Sequence, residues 1–149
     1  MSEQSAEILV SVPPEDFYKV LIDYEQYPEF VSSVKNVEIL KREDNHTQVY
    51  FELDLIKKVK YLLDMEEDSP NRLGWSLIKG DLFKVNRGAW ELEEVTDSEG
   101  KRATKAIYST EIEFSLFVPK MITKTLVAVN LPNNLKEFKN RAEKLYWKN

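Results

Sequence analysis

The chain has 149 residues, and 21 Lys+Arg against 26 Asp+Glu give a net charge of −5 with its single histidine neutral. Hydrophobic residues at 42% and aromatics at 11% make a globular composition, and the length fits one domain, 1–149, with residues 1–5 as a loose tail. Zero cysteines exclude disulfides, thiolate metal sites and a cysteine nucleophile. One histidine, His46, excludes a site built on several histidines of one chain. The four glycines (Gly74, Gly80, Gly88, Gly100) are too scattered for a phosphate or dinucleotide loop.

No run of apolar residues is long enough to span a bilayer. The opening Met-Ser-Glu-Gln-Ser-Ala-Glu has neither a basic nor an apolar signal region, so a cytoplasmic location is expected. The acidic balance argues against nucleic acid as a partner. It is also against stable membrane insertion, although basic clusters at Lys57-Lys58-x-Lys60 and Lys120-x-x-x-Lys124 leave transient membrane contact open.

In chain order, Glu7 to Val12 reads as a short strand. Pro13-Pro14-Glu15-Asp16 then starts a helix, since proline suits the first turn and acids suit its positive end. Phe17, Val20 and Leu21 form the apolar face of that helix. Tyr27-Pro28-Glu29-Phe30-Val31 reads as a second short helix or turn. From Val34 to Leu116 the period is two: Val49, Phe51, Leu53 and Leu55 alternate with polar neighbours, as do Leu73, Trp75 and Leu77, and Ala106, Tyr108, Thr110, Ile112 and Phe114. Such alternation predicts about six antiparallel strands with one buried and one wet face. Turns are expected at Glu43-Asp44-Asn45, Asp68 to Asn71, Gly80-Asp81, Thr96 to Gly100 and near Ile56 to Lys58. After Val118-Pro119, Val127, Leu131, Leu135, Phe138, Ala142 and Leu145 make one stripe of a long amphipathic helix, which Pro132 should kink or restart after Asn130. A curved sheet with one apolar face needs a cover, and only this helix is long enough. The space between the two is a natural small-molecule cavity.

Reaction chemistry is sparse. His46 sits in a turn with no Gly-x-Ser-x-Gly elbow elsewhere, which fits an exposed histidine better than a catalytic one. The pairs Glu52/Asp54, Asp64/Glu66 and Glu111/Glu113 lie at i, i+2 on strand faces and fit a solvated sheet surface. No metal site and no cofactor are expected, and catalytic residues are not identified. Large aromatics on a curved sheet and its covering helix can be core or pocket lining. The expected ligand-binding set is Trp75, Asn86, Trp90, Tyr108 and Thr110 from the sheet with Leu131 and Leu135 from the helix. Arg87 points outward by alternation from Trp90.

Three stretches carry a resemblance. Val12-Pro13-Pro14-Glu15-Asp16-Phe17 through Tyr27-Pro28-Glu29-Phe30-Val31 resembles the opening of START-like (SRPBCC) proteins of the polyketide cyclase/dehydrase and coenzyme Q-binding branch. Trp75-Ser76-Leu77-x-x-Gly80-Asp81-Leu82-Phe83-Lys84-x-Asn86-x-Gly88-x-Trp90-x-Leu92 resembles its central strands, and Val118-Pro119, Leu131-Pro132 and Arg141-Ala142-Glu143 its terminal helix. The resemblance implies an α+β helix-grip fold, with a seven-stranded antiparallel sheet around a long C-terminal helix and two short helices between the first two strands. It implies a lipid, quinone or polyketide-like ligand. Two alternatives stand beside binding: an aromatase/cyclase or dehydrase acting on a bound polyketide-like chain, and a protein-interaction module with a vestigial cavity.

Overall fold

A computed structural model describes residues 2–55, 57–116 and 118–147. Strand β1 (Ser2–Val10) leads into α1 (Pro14–Ile22), a 3-10 turn (Tyr24–Gln26) and α2 (Tyr27–Phe30). Six strands follow: β2 (Val34–Glu43), β3 (His46–Asp54), β4 (Lys58–Asp68), β5 (Arg72–Gly80), β6 (Phe83–Thr96) and β7 (Arg102–Phe114). The chain then becomes helical through α3 (Lys120–Lys124), a π-wound segment (Thr125–Asn130) and α4 (Leu131–Tyr146). The expected turn near Ile56 to Lys58 falls partly on Ile56, which lies outside the described residues.

The strands form one antiparallel sheet in the order β1-β7-β6-β5-β4-β3-β2. Consecutive strands from β2 to β7 pair as neighbours, whereas β1 and β2 occupy opposite edges. The α1–α2 link must therefore run from one edge to the other across the sheet's apolar face. Bulges between Val34 and Asn36, Ile39 and Lys41, Leu62 and Leu63, and Phe83 and Val85 bend the strands, so the sheet curves around α4 as in the helix grip. Residues 2–5 are not a loose tail. Ser2 faces Ile112 and Ser5 faces Ser109, so the strand starts where polar composition masked it: β7 is long enough to offer pairing to the chain's beginning.

Local chemistry accounts for these elements. Pro14 enters α1 at its first turn, with Glu15 and Asp16 beside the free N–H groups. Tyr27 and Pro28 open the single turn of α2 in the same way. On β3, Thr47, Val49, Phe51 and Leu53 are buried while Gln48, Tyr50 and Glu52 are half-exposed, the alternation of a one-sided sheet. The core joins this face to Phe17, Leu21 and Tyr27 from the first helices and to Leu126, Leu135, Phe138 and Ala142 from the last.

The α-helix restarts at Leu131, directly after Asn130, with Pro132 in its first turn, and the chain stays helical across the junction. Asn130 and Leu131 keep helical dihedrals, and the Leu131 N–H donates to the Leu126 carbonyl, one residue further back than in an α-helix. Proline lacks an N–H and its ring crowds the carbonyl four residues back, and the wider π turn absorbs both conflicts. That turn also shifts the phase. Upstream of it the buried positions are Ile122, Leu126 and Asn130, with Val127 half-buried. Downstream they are Leu135, Phe138 and Ala142, and Leu145 is 50% exposed where the stripe would bury it.

Candidate functional site

Between the sheet and the last helix lies a cavity of about 120 Å³. Its walls come from every strand from β2 to β7, from Tyr27 and Val31 beside α2, and from Leu126, Asn130, Leu131, Asn134 and Phe138 along the helix. Trp75, Trp90, Tyr108 and Phe138 form one aromatic wall. Tyr108 lies 5.4 Å from Trp75 and 5.0 Å from Trp90, centroid to centroid, and Trp90 lies 5.7 Å from Phe138. Phe51 stacks on Tyr61 at 5.3 Å to form the other, with Phe83 edge-on to Tyr61 at 5.2 Å. These spacings are those of favourable aromatic pairs, so the walls hold their shape without anything between them.

Among the described residues, every side chain in the lining is apolar, aromatic or a neutral amide. Burial pushes the Tyr108 phenol up to about 12, with Thr110 a smaller opposing influence. Burial drives the Tyr61 and Tyr27 phenols up further. All three stay protonated across the physiological range. The Tyr27 hydroxyl donates to the Leu21 carbonyl, which ties α2 to the end of α1. The Trp75 indole N–H donates to Asn86 Oδ1 at 3.3 Å. Asn134 is oriented so that its amide nitrogen donates to the Asn130 carbonyl at 3.2 Å and to Glu137 Oε1 at 3.3 Å.

The comparisons bear on this geometry. Residues 10–139 match the family described as polyketide cyclase / dehydrase and lipid transport. The chain belongs to that family. Among solved structures it is similar to TTHA0849 from Thermus thermophilus, with a TM-score of 0.82 and 23% identity over 97% of this chain and 99% of that one. It is similar to a START superfamily protein from Mycobacterium smegmatis, with a TM-score of 0.80 and 20% identity over 96% and 98% of the two chains. The Zhui aromatase/cyclase from Streptomyces sp. R1128 superposes with a TM-score of 0.82 at 14% identity, over 96% of this chain and 94% of that one. At these identities the likeness is one of fold. No curated protein matches the chain.

Within this polyketide cyclase/dehydrase fold, the structure brings together Trp75, Asn86, Trp90, Tyr108 and Leu131 of the expected set on the cavity wall. Two others fall outside it. The Thr110 hydroxyl donates to the Arg87 carbonyl at 3.3 Å, and the residue lines a groove on the outer side of the sheet with Arg87 and Gly88. Its partner across the strands is Gly88, where the backbones approach so closely that an added Cβ would overlap the Ser109 carbonyl and sit 2.9 Å from the Thr110 Cα. Thr110 keeps regular register with Tyr108 and Ile112 and is buried as alternation implies, but the hollow it lines is not the cavity. Leu135 is buried with Phe138 and Ala142 as the stripe implies, but in a smaller hollow against Gln4, Ala6 and Tyr108 at the β1 edge. Arg87 points outward as alternation implies and pairs with Glu111 at 2.6 Å.

His46 stands far from this chemistry, at the partly exposed start of β3, with Nδ1 2.9 Å from Asp64. The carboxylate pairs sit on the wet face, where Glu52 meets Lys58 at 3.0 Å. No helix among the described residues is long and apolar enough to cross a membrane. The expected set missed most of the wall, Phe51, Tyr61, Phe83 and Phe138 among it, and the missed amides are Asn130 and Asn134. Their spacing with Leu126 and Phe138, four apart, carried the signal. A polar residue on an amphipathic helix, however, reads as solvent-facing.

Proposed function

We propose that the protein binds an apolar small molecule, lipid, quinone or polyketide-like, in the cavity between sheet and terminal helix. The observation that carries this is a void between sheet and helix walled by aromatic side chains. Protein interiors are filled to crystal density, and an aromatic-lined hollow is the exception that ligand sites make. Room for roughly one aromatic ring is present, against about 300 Å³ or more for a drug-sized site. A longer ligand therefore requires the π segment to move outward. That segment and α3 pack chiefly along the helix itself, whereas α4 packs on α1, α2 and β1.

Support for binding over cyclisation comes from protonation. General acid–base catalysis needs groups that exchange protons near neutral pH, and the titratable groups on this wall are phenols held protonated. An unfilled cavity likewise supports binding over an interaction module that has lost its ligand. The test is native mass spectrometry of the purified protein for a co-purified apolar compound, together with saturable quenching of tryptophan fluorescence by an added quinone. Tyr108→Trp should abolish that quenching and leave the unfolding midpoint in place, because added volume enters a void. In a packed core it would cost about 1–3 kcal/mol. A destabilised Tyr108→Trp with no apolar compound bound would remove the binding reading.

A further inference from the structure

Two side-chain amides interrupt the aromatic walls from opposite sides, Asn86 from β6 and Asn130 from the π segment. Both are 8% exposed. Asn86 accepts the Trp75 indole N–H through Oδ1, which fixes the amide so that its NH₂ has no protein partner among the described residues. The Asn130 side chain has neither a donor nor an acceptor partner among them, although it faces the same space. The neighbouring Asn134 amide, by contrast, is tied to the helix. The one fully buried unpaired side-chain polar atom among the described residues is Ser33 Oγ, whereas the free polar atoms of these two amides open onto the cavity. Here a bound molecule can supply the partner.

We propose that Asn86 and Asn130 select uncharged aromatic ligands bearing a carbonyl or hydroxyl group, and that the cavity rejects carboxylates and phosphates of the same shape. This rests on the reading that the cavity binds an apolar small molecule. An amide pair can donate to a carbonyl and accept from a hydroxyl, so either group is satisfied between them. An anion fares differently. It would shed its hydration in a cavity whose described wall residues include no Lys, Arg or His, and the phenols there stay neutral. The aromatic preference follows from the walls: a flat ring between Trp75 and Tyr61 meets π faces on the sheet side at little loss of freedom. Asn130 reaches the wall on the face it shares with Leu126, Asn134 and Phe138, each four residues apart.

Three probes of equal ring size test this: ethylbenzene, acetophenone and benzoate, titrated near neutral pH while the Trp75 indole N–H is followed by NMR. Acetophenone should bind about tenfold more tightly than ethylbenzene, the worth of one buried hydrogen bond, and benzoate should not bind. Asn130→Leu should bring acetophenone down to the affinity of ethylbenzene. The readout is the ratio of the two affinities in the same variant, and the unfolding midpoint should not fall, since the amide has no protein partner among the described residues to lose. Asn130→Ala, which only removes the amide, should lose the preference in the same way. Benzoate binding as tightly as acetophenone, or an acetophenone preference intact in both variants, overturns the proposal and leaves the cavity reading standing. Failure of ethylbenzene and acetophenone alike to bind the unaltered protein overturns both.

Discussion

Gly88 is the residue whose identity the backbone dictates most strictly. An added Cβ would overlap the Ser109 carbonyl and lie 2.8 Å from the Trp75 ring, and the carbonyl cannot swing away as a side-chain tip could. Gly88→Ala should therefore destabilise the protein by about 1–3 kcal/mol or more, read from the shift in urea midpoint. It should also displace Trp75, which separates the cavity from the outer groove and lines both. A variant of wild-type stability would mean that the β6–β7 approach is looser than described. His46 makes a different kind of prediction. Hydrogen bonding and attraction to Asp64 raise its pKa above 6.5. A raised pKa in the folded state contributes stability that is fully present below pH 6.5 and is lost as pH rises through the folded value. The difference in melting temperature between wild type and His46→Gln should thus shrink with rising pH. Because the pair is exposed, the effect is small and should fade in salt. A difference that grows with pH would reverse the assigned pairing.

The terminal helix is two structures joined by a π turn. In α4, Phe138 packs edge-on against Tyr27 at 5.0 Å, Phe30 at 5.2 Å and Trp90 at 5.7 Å, so it holds the first helices and the sheet together. Phe138→Ala should cost about 3–5 kcal/mol, measured by chemical denaturation. Leu145→Ala, on the same helix but half exposed, should change stability by no more than about 0.5 kcal/mol. The two values in reverse order would mean that the helix is rotated from its described position. The half upstream of Asn130 lacks such anchors. Met121 and Val129 point to solvent, and its buried residues, Ile122 and Leu126, meet the cavity end of the core. A cover that is firm at one end and lightly held at the other is a physical route for a ligand to enter.

At the scale of the molecule, the apolar interior is studded with phenols whose protonated form the fold requires. Burial raises Tyr18 and Tyr108 from 10.0 to about 12, and Tyr24 and Tyr27 rise further, Tyr24 also through its hydrogen bond to Glu67. A phenol whose pKa is raised in the folded state contributes stability below its unfolded value of 10.0 that is lost as pH climbs toward the folded value. Several such groups in one core should make alkaline unfolding cooperative and start it a little above pH 10. Tyrosinate absorbance and circular dichroism should change together. Phenols that ionised at pH 10 with the fold intact would contradict their burial.

The sequence by itself determined the order of elements, the antiparallel pairing, the covering helix and part of the aromatic wall. Period two and period 3.6 are local consequences of having one dry face, and side chains such as Trp75, Trp90 and Tyr108 report their face through their immediate neighbours. Phe17, Val20 and Leu21 placed α1 for the same reason. Whatever depended on distant chain segments was out of reach. The strand character of residues 2–5 comes from the hydrogen bonds β7 offers, because their own composition is polar. Thr110 and Leu135 are buried as their periodicity implies, and only the tertiary packing decides that they line neighbouring hollows rather than the cavity. Asn130 shares the wall-facing side of the helix with Leu126, Asn134 and Phe138, but only the structure shows that this side meets a cavity rather than solvent. Periodicity assumes a constant rise and twist, and the tertiary structure places its irregularities, a bend and a π turn, at the site where it leaves the cavity open.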